Sequence, residues 1–225
     1  MTTEPIGLSE DLATGQVMRT MAGNHDIAVW RSASGVISAW ENRCPHRGMR
    51  LSHGFVRGET LACAYHGWHF SCEGFCHYIP AHPELNPPKT VRPTIYSIVE
   101  LSGLIWVDPI AEAQPVKLPE DTIPVRSLAV RGEATVVEKS LSTVPCNLTE
   151  TVLPLQTLSD TPRVLAAKVS GIENALVIAL QQRQPDTVVV HVLVRDGVSA
   201  PERIVISRWL DSVQRQAESM VGNIP

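Results

Sequence analysis

Cys44 and His46 stand two positions apart in "NRCPHRG" (Asn42–Gly48), and Cys63 and His66 stand three apart in "CAYHGW" (Cys63–Trp68). Thiolates and imidazoles are the donors that zinc and iron–sulfur clusters take; magnesium and calcium prefer oxygen. Tetrahedral zinc accepts two of each. A [2Fe–2S] cluster accepts them too, when two His replace two Cys on one iron. The distribution favours the cluster. Zinc sites usually group Cys with Cys and His with His on one element, whereas here each turn supplies one of each and can reach both irons. Gly48 and Gly67 follow the two His closely, and bare backbone there can approach the sulfurs and donate N–H bonds.

Turns of this kind need short strands on either side. "DIAVWRS" (Asp26–Ser32), the turn "ASG" and "VISAWEN" (Val36–Asn42) read as a hairpin. "TLACAYHGWHF" (Thr60–Phe70) reads as strand, turn, strand, and "CEGFCHYIP" carries a further Gly turn. "TVRPTIYSIVELSGLIWVDP" (Thr90–Pro109) holds two strands around Ser102–Gly103. Residues 1–112 are thus expected to form an all-β antiparallel domain.

The Pro-bearing stretch Asp108–Pro124 reads as an exposed strap, and the pattern changes after it. "VRSLAV" and "EATVVEKSLS" suggest strands, and "PCNLTETVLPLQTL" suggests a short helix. "RVLAAKVSG", "NALVIALQQR" and "TVVVHVLVRDG" are β-rich runs. "APERIVISRWLDSVQRQAESM" places Ile204, Trp209, Val213 and Met220 near helical spacing, with Pro201 in the first turn. Residues 113–225 are therefore expected to be a small α+β domain closed by one long helix.

The 225 residues carry a formal net charge of −4, which argues against a nucleic-acid footprint. No apolar run is long enough to span a membrane, and the first residues have no signal-peptide pattern, so a cytoplasmic location is expected. Five Cys is an odd number and argues against a disulfide framework. Cys72, Cys76 and Cys146 read as packed residues, His53, His69 and His77 as local hydrogen-bond partners, and Trp30 and Trp68 as core aromatics.

With these motifs in place, the chain resembles the α subunits of the Rieske non-haem iron oxygenase family. "CPHRGMRLSHG", "CAYHGWHF" and "CHYIP" carry the resemblance, which is strong over the first half and weak beyond it. It implies that Cys44 and Cys63 bind the inner iron of a [2Fe–2S] cluster, and His46 and His66 the outer one. Met49 and Tyr65 stand where respiratory Rieske proteins carry a disulfide, which implies the lower-potential class.

The resemblance also implies a second site, a mononuclear Fe(II) held by two His and a carboxylate. The family's pattern resembles N-x₂-D-x₂-H-x₄-H, and its best match here is "CNLTETVLPLQTL". Asn147 fits the Asn. Glu150 replaces the Asp that, by resemblance, bridges electrons between subunits. The two His become Leu153 and Leu158, which have no donor atom. Asp211 stands near the late carboxylate but is more often a solvated helix charge. Seven of the eight His lie within the first 82 residues, leaving His191 alone in the second half. The mononuclear iron is therefore expected to be absent, and the second domain to be a shortened helix-grip-like fold.

The implied function is the Rieske electron-transfer subunit of a heteromeric, trimer-based oxygenase. It would take electrons from an NAD(P)H-dependent reductase or a ferredoxin and pass them to a partner catalytic subunit. The alternatives are a stand-alone ferredoxin-like carrier, a complete oxygenase with unusual iron ligands, and an inactive relative.

Overall fold

A computed structural model describes residues 3–148, 152–160 and 163–222. Among them, three antiparallel sheets and two α-helices form the architecture. The first sheet is built from β1 (Glu4–Leu8), β2 (Val17–Ala22), β3 (His25–Arg31) and β4 (Ile37–Glu41). The small second sheet holds β5 (Phe55–Arg57), β6 (Thr60–Ala62), β7 (His69–Ser71) and β8 (Cys76–Tyr78) in sequence order. The chain then returns to the first sheet through β9 (Ile95–Leu101) and β10 (Leu104–Asp108), giving the order β1-β10-β9-β4-β3-β2. The expected hairpin is β3–β4, in the register Ile27↔Glu41 to Arg31↔Ile37.

β3 is buried on both faces, so its apolar run is nearly continuous. Ile27 and Val29 pack into one core cluster with Ile105 and Val107. Ala28 and Trp30 face the other way, into the cluster that also holds Trp40, Phe70, Cys44 and Cys63. Trp30 and Trp40 meet edge-to-face with centroids 5.1 Å apart, and Trp40 meets Phe70 at 6.3 Å. These aromatics join the first sheet to the second at the base of the two Cys/His turns.

The second half forms a five-stranded sheet in the order β11-β15-β14-β13-β12. Its strands are β11 (Thr122–Arg131), β12 (Gln156–Asp160), β13 (Arg163–Val169), β14 (Ile172–Gln184) and β15 (Thr187–Arg195). α1 (Ala134–Leu141) and α2 (Ala200–Gly222) cover one face. α2 buries Ile206, Trp209, Leu210, Val213 and Ala217, an i, i+3, i+4, i+7, i+11 stripe against Val188, Val190, Val192 and Val194 of β15. Trp209 Nε1 donates to the Val144 carbonyl at 3.0 Å. Ile204 was expected on this face and is instead 53% exposed, one position off the stripe.

Two local expectations are corrected. "EATVVEKSLS" forms α1, not a strand. Ala134, Val137 and Leu141 are buried at i, i+3 and i+7, and packing against the core overrides the strand tendency of Val136–Val137. "PCNLTETVLPLQTL" is not a helix over its described residues: it turns at Asn147–Leu148 and enters β12 at Gln156. Pro154 interrupts it, lacking an N–H and pushing Leu153 out of helical geometry.

The remaining face of the five-stranded sheet docks onto the first sheet. Val164, Val177, Ala179 and Leu193 pack against Leu8, Leu104 and Trp106. Polar contacts cross the same seam: Gln181 Nε2 donates to Thr20 Oγ1 (2.8 Å) and the Met21 carbonyl (2.6 Å). Ser127 Oγ lies 2.8 Å from Asp11 Oδ2 and 2.9 Å from His191 Nδ1. A hydroxyl proton given to the carboxylate leaves His191 Nδ1–H as the donor to Ser127. His191 Nε2 is then a buried acceptor without a partner. Burial, then the charge of Arg183, pushes the His191 pKa down to about 3.

Candidate metal centre

The two Cys/His turns are built alike. In the first, Cys44 N–H donates to the Met49 carbonyl (2.8 Å) and Gly48 N–H to the Cys44 carbonyl (2.9 Å). In the second, Cys63 N–H donates to the Trp68 carbonyl (2.9 Å) and Gly67 N–H to the Cys63 carbonyl (3.0 Å). Gly48 and Gly67 close these turns at φ +73° and +67°, which glycine adopts without strain. A Cβ on Gly67 would also lie 2.9 Å from Pro80 Cγ, so that turn has no room for a side chain.

The first turn hangs from buried Asn42, whose Nδ2 donates to Asp26 Oδ1 at 2.9 Å and whose Oδ1 accepts Ser52 N–H at 2.8 Å. The second runs from β6 to β7, so sheet register alone sets its ends.

This scaffold sorts the four donors by kind. Cys44 and Cys63 are both buried in one core cluster, close enough for each thiol to shift the other. The Cys44 side chain and the backbone N–H groups of Tyr65 and His66 outweigh burial and hold Cys63 below the usual thiol range. The Cys44 thiol is pushed up, first by Cys63 and then by burial. The backbone N–H groups of His46 and Arg47 point at its sulfur. His46 and His66 meet nearer the surface, ring centroids 4.6 Å apart. His46 Nδ1 is buried with no partner, as a nitrogen kept for a metal would be. Sulfur lies with sulfur and nitrogen with nitrogen, the set that a [2Fe–2S] group with one thiolate-bound and one imidazole-bound iron needs. No disulfide forms among the described residues.

Residues 2–92 match the Rieske [2Fe-2S] domain family. This chain carries a Rieske [2Fe-2S] domain. Oxidoreductase NdmD of Pseudomonas putida is 35% identical over 144 residues, which is 62% of this chain and 24% of that protein. The 4beta-methylsterol monooxygenase of Methylococcus capsulatus is 43% identical over 113 residues, 48% of this chain and 30% of that protein. The chain thus spans less than a third of these curated relatives. Among solved structures, dicamba monooxygenase bound to dicamba superposes with a TM-score of 0.68 at 16% identity. That likeness covers 97% of this chain and 86% of the other, so the fold beyond the Rieske domain is shared as well.

Around the Rieske turns, Trp68 stacks flat on the His46 ring (4.2 Å, 7°), and Tyr65 stacks on His66 (3.9 Å, 29°). Trp68 was expected to be a core aromatic; its contact with His46 went unseen, although its place two residues after His66 was the available signal. Trp30 is a core residue as expected. Cys76 and Cys146 are buried, and Cys72 is half-buried beside Cys76 in the aromatic cluster. His69 Nδ1 sits 3.1 Å from Thr60 Oγ1, with His77 against its ring.

The positions aligned with a second iron site look different. Leu153 is buried in the core under α1 and α2, and Leu158 packs half-buried at the seam with the first sheet. Asp211 on α2 pairs with Arg126 at 2.9 Å and is 42% exposed. Glu150 lies outside the described residues. No three His, Cys, Asp or Glu side chains gather around one ion position among the described residues. No described helix is long and apolar enough to cross a membrane.

Proposed function

We propose that Cys44 and Cys63 hold one iron and His46 and His66 the other iron of a [2Fe–2S] cluster, and that the chain is the electron-transfer subunit of a heteromeric Rieske oxygenase. The sorting of the four donors, two buried thiols beside two near-surface imidazoles with His46 Nδ1 unpartnered, carries this reading. The bound cluster supplies a one-electron store. The N–H groups of the two turns stabilise negative charge on the sulfurs, and the imidazoles bring the redox edge to the surface. Trp68 fixes the plane of His46.

The chain divides near residue 112, and residues 113–225 serve as a shortened helix-grip-like scaffold. Its core supports this: leucine side chains fill positions 153 and 158, where the resemblance asks for iron ligands. The mononuclear Fe(II) then belongs to a partner catalytic subunit in a trimer-based cytoplasmic assembly. Glu150 is the bridge to it, and an NAD(P)H-dependent reductase or a ferredoxin supplies the electrons.

Iron and acid-labile sulfide analysis with EPR of the reduced chain tests this. About two irons and two sulfides per chain with a Rieske-type signal are expected. Absence of that signal removes the cluster. A further iron with O₂-dependent turnover by the isolated chain removes the partner subunit.

A further inference from the structure

Beside the first turn lies an open cleft of about 340 Å³ whose wall includes Cys44 and His46. Arg43, Arg47 and Arg92 line it, and Glu41 is its only acidic residue among the described residues. The Glu41 carboxylate is already engaged by Thr94 Oγ1 at 3.1 Å. A chain of net charge −4 thus gathers three guanidinium groups against one carboxylate at the edge of its redox site.

Nor do carboxylates occupy these arginines. Arg19, Arg31, Arg50, Arg126, Arg163 and Arg195 each face a carboxylate within 4 Å. Among the described residues, Arg43, Arg47 and Arg92 pair with none; other unpaired arginines, such as Arg57, Arg203 and Arg208, lie outside this cleft, and only these three line it. The Arg92 guanidinium lies over the Phe75 ring at 5.6 Å. Asp26, which lines the adjoining cleft together with Glu41, is neutralised by Arg19 and Arg50. All three cleft arginines are exposed.

From this geometry we propose that the Arg43–Arg47–Arg92 rim is the docking surface for an acidic electron-donor protein. The proposal rests on the reading of Cys44, His46, Cys63 and His66 as cluster ligands and deepens it by naming the partner of that site. A small anion is a poor occupant, because exposed guanidinium groups around an open cleft leave it in competition with water. A broad carboxylate-bearing face can meet all three arginines at once, and opposite fields raise the rate of encounter. Docked there, the donor gives up one electron, the oxidised cluster gains it, and no bond is made or broken.

Stopped-flow reduction of the oxidised holo-chain by an acidic, pre-reduced plant-type ferredoxin tests the proposal, with the Arg43→Glu/Arg92→Glu double variant beside the native chain. Neither residue supplies a ligand, and EPR of the variant checks that its cluster is loaded. The native second-order rate constant should fall steeply between low and high salt. At low salt the double variant should be slower by about 10-fold or more, with the salt dependence flattened or reversed. Oxidation of the reduced chain by a basic cytochrome c should show the opposite change. Equal ferredoxin rates for both chains overturn the proposal. So does inhibition by inorganic phosphate beyond that of chloride at equal ionic strength, which marks a small-anion site. A native chain without a Rieske EPR signal instead removes the ligand reading on which the proposal rests.

Discussion

The two Rieske turns and the stretch around Leu153 and Leu158 are the two places where the resemblance asks for metal ligands, and the fold treats them in opposite ways. At the turns, donors sit on short glycine-closed loops with backbone N–H groups aimed at sulfur, and one buried imidazole nitrogen has no partner. At the second place, the side chains are apolar and fill space: Leu153 sits in the core beneath the helices, and Leu158 packs at the seam with the first sheet. A metal site keeps polar atoms unsatisfied inside the protein until the ion arrives, which costs stability in its absence. A core does the reverse. The first region is organised around chemistry, the second around packing.

That contrast can be broken most directly at Cys63. Cys63→Ala should abolish the visible spectrum and EPR signal of the cluster, since it removes one of the two thiols that the turns bring together; a retained Rieske signal would show that the thiol pair is not the ligand set. Next in size is Leu153→Ala, which should cost about 2–5 kcal/mol in urea unfolding, as large-to-small changes in closed cores do, while the spectrum stays unchanged. A loss under 1 kcal/mol would mean that the second region is not packed as a core.

His191 tests the seam between the regions. Its folded-state pKa of about 3 lies below the usual 6.5, so burial favours the neutral form. Stability from this group is full above pH 6.5 and is lost as pH falls from there toward 3. Between pH 7.5 and pH 5 it should contribute a loss of about 2 kcal/mol, absent in His191→Leu. Parallel pH profiles for the two chains would show that His191 does not titrate in this way. The smallest effect is expected at Asp211, whose pair with Arg126 is partly exposed: Asp211→Asn should cost about 1 kcal/mol or less and leave cluster and assembly unchanged. A loss of iron in that variant would reopen its reading as a ligand.

The turns were legible because their chemistry is local. Cysteine, histidine and glycine at fixed offsets specify donors and tight loops whatever surrounds them, and alternating strands beside them are short-range patterns. α1 was misread because Val136 and Val137 carry a strand tendency that packing under α2 overrides. The place of Trp68 two residues after His66 puts it near the site, but its stacking on His46 is not encoded there, since nothing in the alternation says which way a tryptophan leaves a turn.

By itself the sequence determined the donor set, its division between two turns, the antiparallel first half and the closing helix. Side-chain type and spacing along one chain suffice for each. The tertiary structure decided what depends on contacts between distant segments. It sorted the thiols from the imidazoles and carried Leu153 and Leu158 into apolar surroundings. It joined Asp11, Ser127 and His191 across the seam, and it gathered Arg43, Arg47 and Arg92 around one cleft. Arg92 reaches that cleft only because the chain makes the whole second sheet before returning to the first, a closure that no local pattern encodes.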